Sequence, residues 1–393
     1  MADVINAHAA AFLRSSETVV SWAKRRVMRR LVACRTAALG GHVVSCDNCD
    51  YETIAYNSCR DRHCPKCQAS KSAQWVEARD ADLLPVPYFH VVFTVPPEIA
   101  SIALQNKRVM YGILMRASAE TLLQIAADPK HLGAKIGFVS VLHTWGQTLM
   151  HHPHVHCVIP SGGLGADGRS WVACRPGFFL PIEVLSSVFR GKFLDLTRRA
   201  FASGELCFQG CLAHLADPKE FAKHLRRTYA NNWVVYVKPP FGGAKQVFKY
   251  LARYTHRVAI ANSRIVAMDD GNVSFRWKDY AHGSRQRTMT LDGREFLRRF
   301  LQHVLPKGFV RIRSYGLLAN GVRATRLAAC RAALNVVVAE VTRDVDATAG
   351  STSLPRCPSC KIGHLFLGER LPPFSPRLTL QSPQPVPAGI DSS

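Results

Sequence analysis

The chain has no apolar run near the roughly 20 residues needed to span a bilayer, and its N-terminus lacks a signal-peptide core followed by a small-residue cleavage site. Neither membrane insertion nor export is expected, and the location read from the sequence is cytoplasmic. No Gly-x-x-x-x-Gly-Lys-[Ser/Thr] loop is present, so no nucleotide cofactor is called for. Acidic residues are scarce, with 28 Asp and Glu against 51 Lys and Arg. That scarcity, with no distinctive carboxylate constellation, argues against a centre built on an acidic triad and two metal ions. The same imbalance leaves a formal charge of +23. The usual physical reason for such an excess is a polyanion partner whose phosphates the Lys and Arg neutralise, which makes nucleic acid the leading partner. With 393 residues and 47% hydrophobic content, the chain can bury a sizeable core in two or three domains.

Thirteen cysteines is an odd count, and several fall in Cys-x-x-Cys pairs, which points to reduced thiols and metal knuckles and away from disulfides. Cys46-Asp47-Asn48-Cys49 and Cys64-Pro65-Lys66-Cys67 each place two thiolates on one side of a tight turn. Together Cys46, Cys49, Cys64 and Cys67 make a tetrahedral set for structural zinc on a short ribbon. Cys59 and His63 are surplus: replacement ligands, part of a second ion's site, or neighbours that orient the first. The N-terminal stretch from residue 3 to about 37 reads as helical and carries Lys24, Arg25, Arg26, Arg29, Arg30 and Arg35, a face suited to a DNA backbone.

The stretch around His154-Val155-His156-Cys157-Val158 reads as a strand, because β-branched residues surround the histidines and Gly162-Gly163 closes it. Alternation along a strand sends His154 and His156 to one face and Val155 and Cys157 to the other, so two imidazoles converge on one cation. The preceding apolar strand, Ile136 to Trp145, pairs with it antiparallel, since the link from Gly146 to His151 is too short for a parallel crossover. A third ligand is open among His143, Gln147 and Gln246, with His90 a further candidate. Two imidazoles plus one oxygen or nitrogen donor accept Mg2+ or Mn2+, and Mn2+ suits imidazole better. Tyr88 to Val95 reads as a buried strand, helical patterns run to about Asp128, and Asp269-Asp270-Gly271 signals a hairpin. Beyond it, Trp277, Tyr280, Arg285 and Arg287 interleave aromatics with cations, a pattern that suits stacking and backbone neutralisation on single-stranded DNA and equally a plain antiparallel meander with a basic outer face. Tyr250 and Tyr254 lie four apart in a helical pattern, so their phenols share a face, beside Lys249, Arg253 and Arg257. A cation site upstream of two tyrosines matches phosphodiester attack by a weak phenol nucleophile.

These pieces resemble the HUH superfamily of single-strand DNA endonucleases, and within it the two-tyrosine rolling-circle transposases of the family named for insertion sequence ninety-one. The resemblance rests on Cys46-x-x-Cys49, Ser58 to Gln68, Phe89-His90-Val91-Val92-Phe93-Thr94, His143-Thr144-Trp145-Gly146, His152-Pro153-His154-Val155-His156, Tyr250-Leu251-Ala252-Arg253-Tyr254, and Arg311 to Ala319. It covers roughly residues 10 to 340 in motif order. It implies an α+β fold in which an N-terminal zinc ribbon precedes an HUH endonuclease domain, whose central antiparallel sheet carries helices and holds the histidine pair on a middle strand. It also implies cleavage of single-stranded transposon ends through a 5′-phosphotyrosine, followed by strand transfer. The expected domains are 1–83, a basic helix and zinc-ribbon DNA-binding domain; 84–345, the endonuclease domain; and 346–393, a largely disordered tail with half a knuckle at Cys357 and Cys360. A replication initiator with the same chemistry, or a non-catalytic zinc-ribbon DNA-binding protein, are the alternatives.

Overall fold

The computed structural model describes residues 1–15, 20–67, 77, 82–230, 233–239, 259–280, 282–335 and 354–374. In chain order, α1 (Ala2–Ser15) and α2 (Trp22–Ala33) precede the hairpin of β1 (Gly41–Cys46) and β2 (Glu52–Tyr56). Then come β3 (Tyr88–Thr94), α3 (Pro97–Gln105), α4 (Lys107–Ala127), β4 (Gly137–Trp145) and β5 (His151–Pro160). The short β6 (Gly162–Leu164) and β7 (Trp171–Ala173) lead to α5 (Ile182–Ala202), α6 (Pro218–Ala230) and β8 (Val235–Lys238). The remainder is β9 (Ile265–Asp269), β10 (Asn272–Asp279), β11 (Arg285–Asp292), α7 (Gly293–Leu301), β12 (Ile312–Gly316), α8 (Arg323–Ala333) and β13 (Leu365–Leu371).

The central sheet has the order β12-β4-β5-β3-β8, with every neighbouring pair antiparallel, and the histidine strand β5 lies in the middle. Period-two alternation decides what covers each face. Phe89, Val91 and Phe93 of β3 and Val155, Cys157 and Ile159 of β5 are buried with Ile99 and Ile102 of α3, Tyr111 and Leu114 of α4, and Phe189 and Phe193 of α5. Each fully buried side chain of this size contributes about 1.5–3 kcal/mol, so this one face is the main source of the domain's stability. Among the described residues, the opposite face is covered at one end, where Val139 and Val141 of β4 meet Leu317, Leu318, Leu327 and Cys330. His143, His154 and His156 emerge toward the other end of that face.

A second sheet, β11-β10-β9, is built on a tight turn in which Asp270 and Gly271 both have positive φ (48° and 79°), as the Asp-Gly signal requires. Its Val273 and Phe275 pack with Phe296, Leu297 and Phe300 of α7 and with Val4, Ile5, Val27 and Leu31 of the N-terminal helices. The N-terminal region thus shares one core with residues 259–304, and the packing does not divide at residue 83. Part of the expected tail has defined structure. Within residues 354–374, β13 pairs with β1 from Gly41↔Leu371 to Cys46↔Leu365 and completes the three-stranded sheet β13-β1-β2.

Candidate functional site

The β4–β5 turn is what sets the histidines. Gly146 N donates to Met150 O, and Leu149 takes the left-handed conformation (φ 63°). The Leu149 carbonyl accepts from Gln302 Nε2 at 2.7 Å and His303 Nε2 at 3.0 Å, so the end of α7 grips the turn. Cross-strand register then places His143 opposite His154, and His156 between Val141 and Val92. The ligand nitrogens of His143, His154 and His156 lie within 4.8 Å of one another. His154 Nδ1 faces the His152 carbonyl at 2.7 Å, and His156 Nδ1 faces His90 Nε2 at 2.7 Å. In both rings Nδ1 is committed to a partner, the kind of contact that orients a metal-ligating imidazole and leaves its other nitrogen to the ion. Burial lowers His154 to about 3, His90 to about 4 and His156 well below the ordinary range, so all three rings are neutral and able to donate lone pairs at pH 7. The imidazoles of His143, His154 and His156 grouped on one wall suit a divalent transition ion such as Mn2+ better than Mg2+, which prefers an all-oxygen site.

Of the expected residues, His154, His156 and His143 come together. Gln147 lines the same cavity, but its carbonyl accepts from Arg264 Nη2 at 2.6 Å and its side-chain oxygen from Lys278 N at 3.4 Å. Gln246, Tyr250 and Tyr254 lie outside the described residues. The cavity, about 570 Å³, is lined by the histidines together with Thr94, Trp145, Arg264, Tyr280 and the run Ala259–Ala261. The sequence reading did not anticipate that His90 would support His156, because that contact depends on the β3–β5 register.

A second cavity of about 350 Å³ is strongly basic, lined by Arg26, Arg30, Arg60, Arg62, Lys307 and Arg311. Arg311 is 6% exposed, and burial lowers it to about 10. Arg311 Nη1 and Arg26 Nε are buried with no hydrogen-bond partner among the described residues. Buried guanidinium nitrogens left in this way are costly unless an anion meets them.

The cysteines are not grouped as spacing suggests. Cys46, Cys49, Cys64 and Cys67 do not form one set: Cys64 and Cys67 gather with Cys59 and with Cys34 at the end of α2, while Cys46 and Cys49 gather with Cys357 and Cys360. Cys59 is therefore a member and His63 is not. His63 Nε2 is turned to the Phe300 carbonyl at 3.0 Å, and burial lowers the ring to about 3. Asp61 shapes the first cluster's loop by accepting from His63 N at 2.9 Å while its own amide donates to Cys59 Sγ at 3.5 Å. The Cys59–Cys67 separation is 3.8 Å. A tetrahedron with Zn–S of about 2.3 Å has edges of about 3.8 Å, so these thiols fit zinc. Cys64 is lowered to about 5 by the hydrogen bond from Cys59, whose own thiol is correspondingly raised. No sequence signal marked Cys34, a single cysteine in a basic helix end.

This geometry defines a strongly basic α+β protein with a histidine cluster at the centre of an antiparallel sheet and a cysteine-rich module beside it. The family described as "Transposase zinc-binding domain" matches residues 4–95, and that described as "Putative transposase" matches residues 137–326. A relative from Sinorhizobium fredii, "Putative transposase y4qJ", is 53% identical over 374 residues, 93% of this chain and 94% of its own length. The transposase for insertion sequence element IS801 from Pseudomonas savastanoi pv. phaseolicola is 27% identical over 75% of this chain and 70% of its own. The chain belongs to the IS91 family of transposases. Among solved structures, the conjugative relaxase TrwC in complex with OriT DNA, in its metal-free form, matches 55% of this chain and 71% of that one at 18% identity and a TM-score of 0.27.

Proposed function

We propose that this transposase cuts and rejoins single-stranded DNA through a tyrosine–phosphate ester, with Tyr250 and Tyr254 as the nucleophiles and a divalent cation held by His143, His154 and His156. The observation that carries the reading is the cluster of His143, His154 and His156, whose ligand nitrogens lie within 4.8 Å of one another, in a cavity whose wall includes Ala259–Ala261.

A bound cation would polarise a phosphoryl oxygen and offset the charge that develops there. The chain's own groups do the rest. A tyrosine oxygen attacks phosphorus, the P–O3′ bond breaks, and the 3′ oxygen leaves and takes up a proton, leaving a 5′-phosphotyrosine. A 3′ hydroxyl then attacks the same phosphorus and returns the proton and the phenol. Bond energy is retained throughout, in keeping with the lack of a nucleotide-binding loop. Two linked cleavages need two free hydroxyls, because one covalent adduct occupies one tyrosine until it is resolved. The basic cavity around Arg26 and Arg311, and the aromatic-basic face of Trp277, Tyr280, Arg285 and Arg287, supply phosphate neutralisation and stacking for the strand.

The deciding experiment is a denaturing gel of the protein with single-stranded transposon-end DNA and manganese. A covalent adduct is expected from wild type and from each of Y250F and Y254F, and none from the double variant. An adduct on another residue in the double variant, located by mass spectrometry, overturns the assignment.

A further inference from the structure

We propose that Cys46, Cys49, Cys357 and Cys360 hold a second structural zinc ion, which closes a ribbon split between the two ends of the chain and clamps residues 354–374 to the N-terminal module. The site lies only half within the matched zinc-binding region, residues 4–95, and its other half follows the second matched region, residues 137–326.

The distances are those of a metal site. Cys46 Sγ stands 3.8 Å from Cys360 Sγ, and Cys49 Sγ stands 3.8 Å from Cys357 Sγ. Both equal the edge of a tetrahedron with Zn–S bonds of about 2.3 Å, and both far exceed a disulfide bond of about 2.05 Å. All four thiols lie in one group. Each half supplies a Cys-x-x-Cys turn with an amide aimed at sulfur, Asn48 N to Cys46 Sγ and Gly363 N to Cys360 Sγ, both at 3.3 Å. Donated amides of this kind stabilise thiolate and fix its direction.

The two turns are built for contact with each other. His364 N donates to Asp47 Oδ1 at 2.7 Å and Asp47 N to the His364 carbonyl at 3.2 Å, which locks one turn against the other. A Cβ at Gly363 would meet Cys46 Sγ at 2.6 Å and Asn48 Cβ at 2.6 Å, so only glycine admits the approach. Gly40 (φ 66°) repeats the theme at the far end of the sheet, where a Cβ would meet the Leu371 carbonyl at 2.5 Å. Between these two contacts runs the β1–β13 ladder. Its exposed Leu367 and Phe366 give β13 little apolar burial of its own, so a strand that pairs with β1 across 319 residues of sequence at Cys46↔Leu365 is anchored chiefly by backbone pairing and by the four sulfurs. The clamp also places Arg370 in the wall of a cavity of about 1060 Å³ beside Arg30, Arg35 and Arg60. The C-terminal segment thereby contributes to the basic surface of the N-terminal module.

The test uses the full chain, with zinc counted by mass spectrometry and β-strand protection followed by hydrogen exchange. Wild type is expected to hold two zinc ions. The double variant C357S/C360S and the single variant G363A, which keeps every thiol, are each expected to hold about one. In both variants the amides of Leu365–Leu371 should exchange at least tenfold faster, while those of β5 are unchanged. In unaltered protein, Cys357 and Cys360 should resist alkylation until zinc is chelated. Two zinc ions retained by C357S/C360S, or alkylation of Cys357 and Cys360 in zinc-loaded wild type at the rate of exposed Cys207, overturns the proposal.

Discussion

At the scale of single residues, the histidines divide between two tasks. His154 and His156 carry the cation in the proposed centre, so H154A or H156A should abolish DNA cleavage while single-strand binding, which comes from the basic surface, stays within about twofold. A gel cleavage assay beside a binding titration separates the two, and cleavage at wild-type rate in H154A would refute the role. His90 acts through its contact with His156 Nδ1. H90A should therefore weaken metal activation by roughly 10–100-fold, and excess manganese should restore cleavage; a manganese titration reads this directly. His154 and His156 were legible in the sequence because strand alternation is a local rule. His90 and His143 were less so: which residue faces which across β3, β4 and β5 depends on register, and several nearby polar residues offered equally good sequence positions. The tyrosines, for the same reason, rest on helical spacing and family resemblance.

Single elements show where local rules stop. β3, β4, β5 and the β9–β10 hairpin were readable, since each has an apolar pattern or a turn signal of its own. β12 was not, because Ile312–Gly316 is a polar run whose strand character comes from pairing with β4. Each Cys-x-x-Cys turn was likewise readable as a knuckle, but spacing says nothing of which knuckle meets which. The nearest pair in sequence, Cys46-x-x-Cys49 and Cys64-x-x-Cys67, proved to be on different clusters. Helix α7 gives a test of element stability. Asp292 caps it by accepting from Arg294 N at 2.9 Å and Glu295 N at 3.4 Å. D292A should cost about 1 kcal/mol, read as a lower denaturant midpoint with an unchanged slope. Because α7 also grips the β4–β5 turn, metal affinity at the histidines should fall in the same variant; unaltered affinity would show that the turn holds itself.

For the whole molecule, buried neutral histidines make the fold acid-sensitive. His63 is lowered to about 3 and His303 well below its ordinary value, both chiefly by burial. Unfolded, each takes a proton near pH 6.5. Above that pH neither state binds the proton and stability is full; as pH falls from 6.5 toward 3, the unfolded chain gains protons the folded one refuses, and stability is lost. The slope is about 1.4 kcal/mol per pH unit for each such histidine. Urea midpoints should therefore drop between pH 7.5 and 5.0, and H63Q should flatten that dependence; a pH-independent midpoint would mean that the rings are solvated. The pairing of β1 with β13 has a different consequence, one of timing. During synthesis the β1 edge leaves the ribosome 319 to 330 residues ahead of the positions it pairs with, from Cys46↔Leu365 to Gly41↔Leu371, and stays an open sheet edge until residues 365–371 have emerged. A chain broken off before residue 357 can form the histidine sheet but never the finished module with Arg370 in its wall, so assembly of that module waits on residues 357–371.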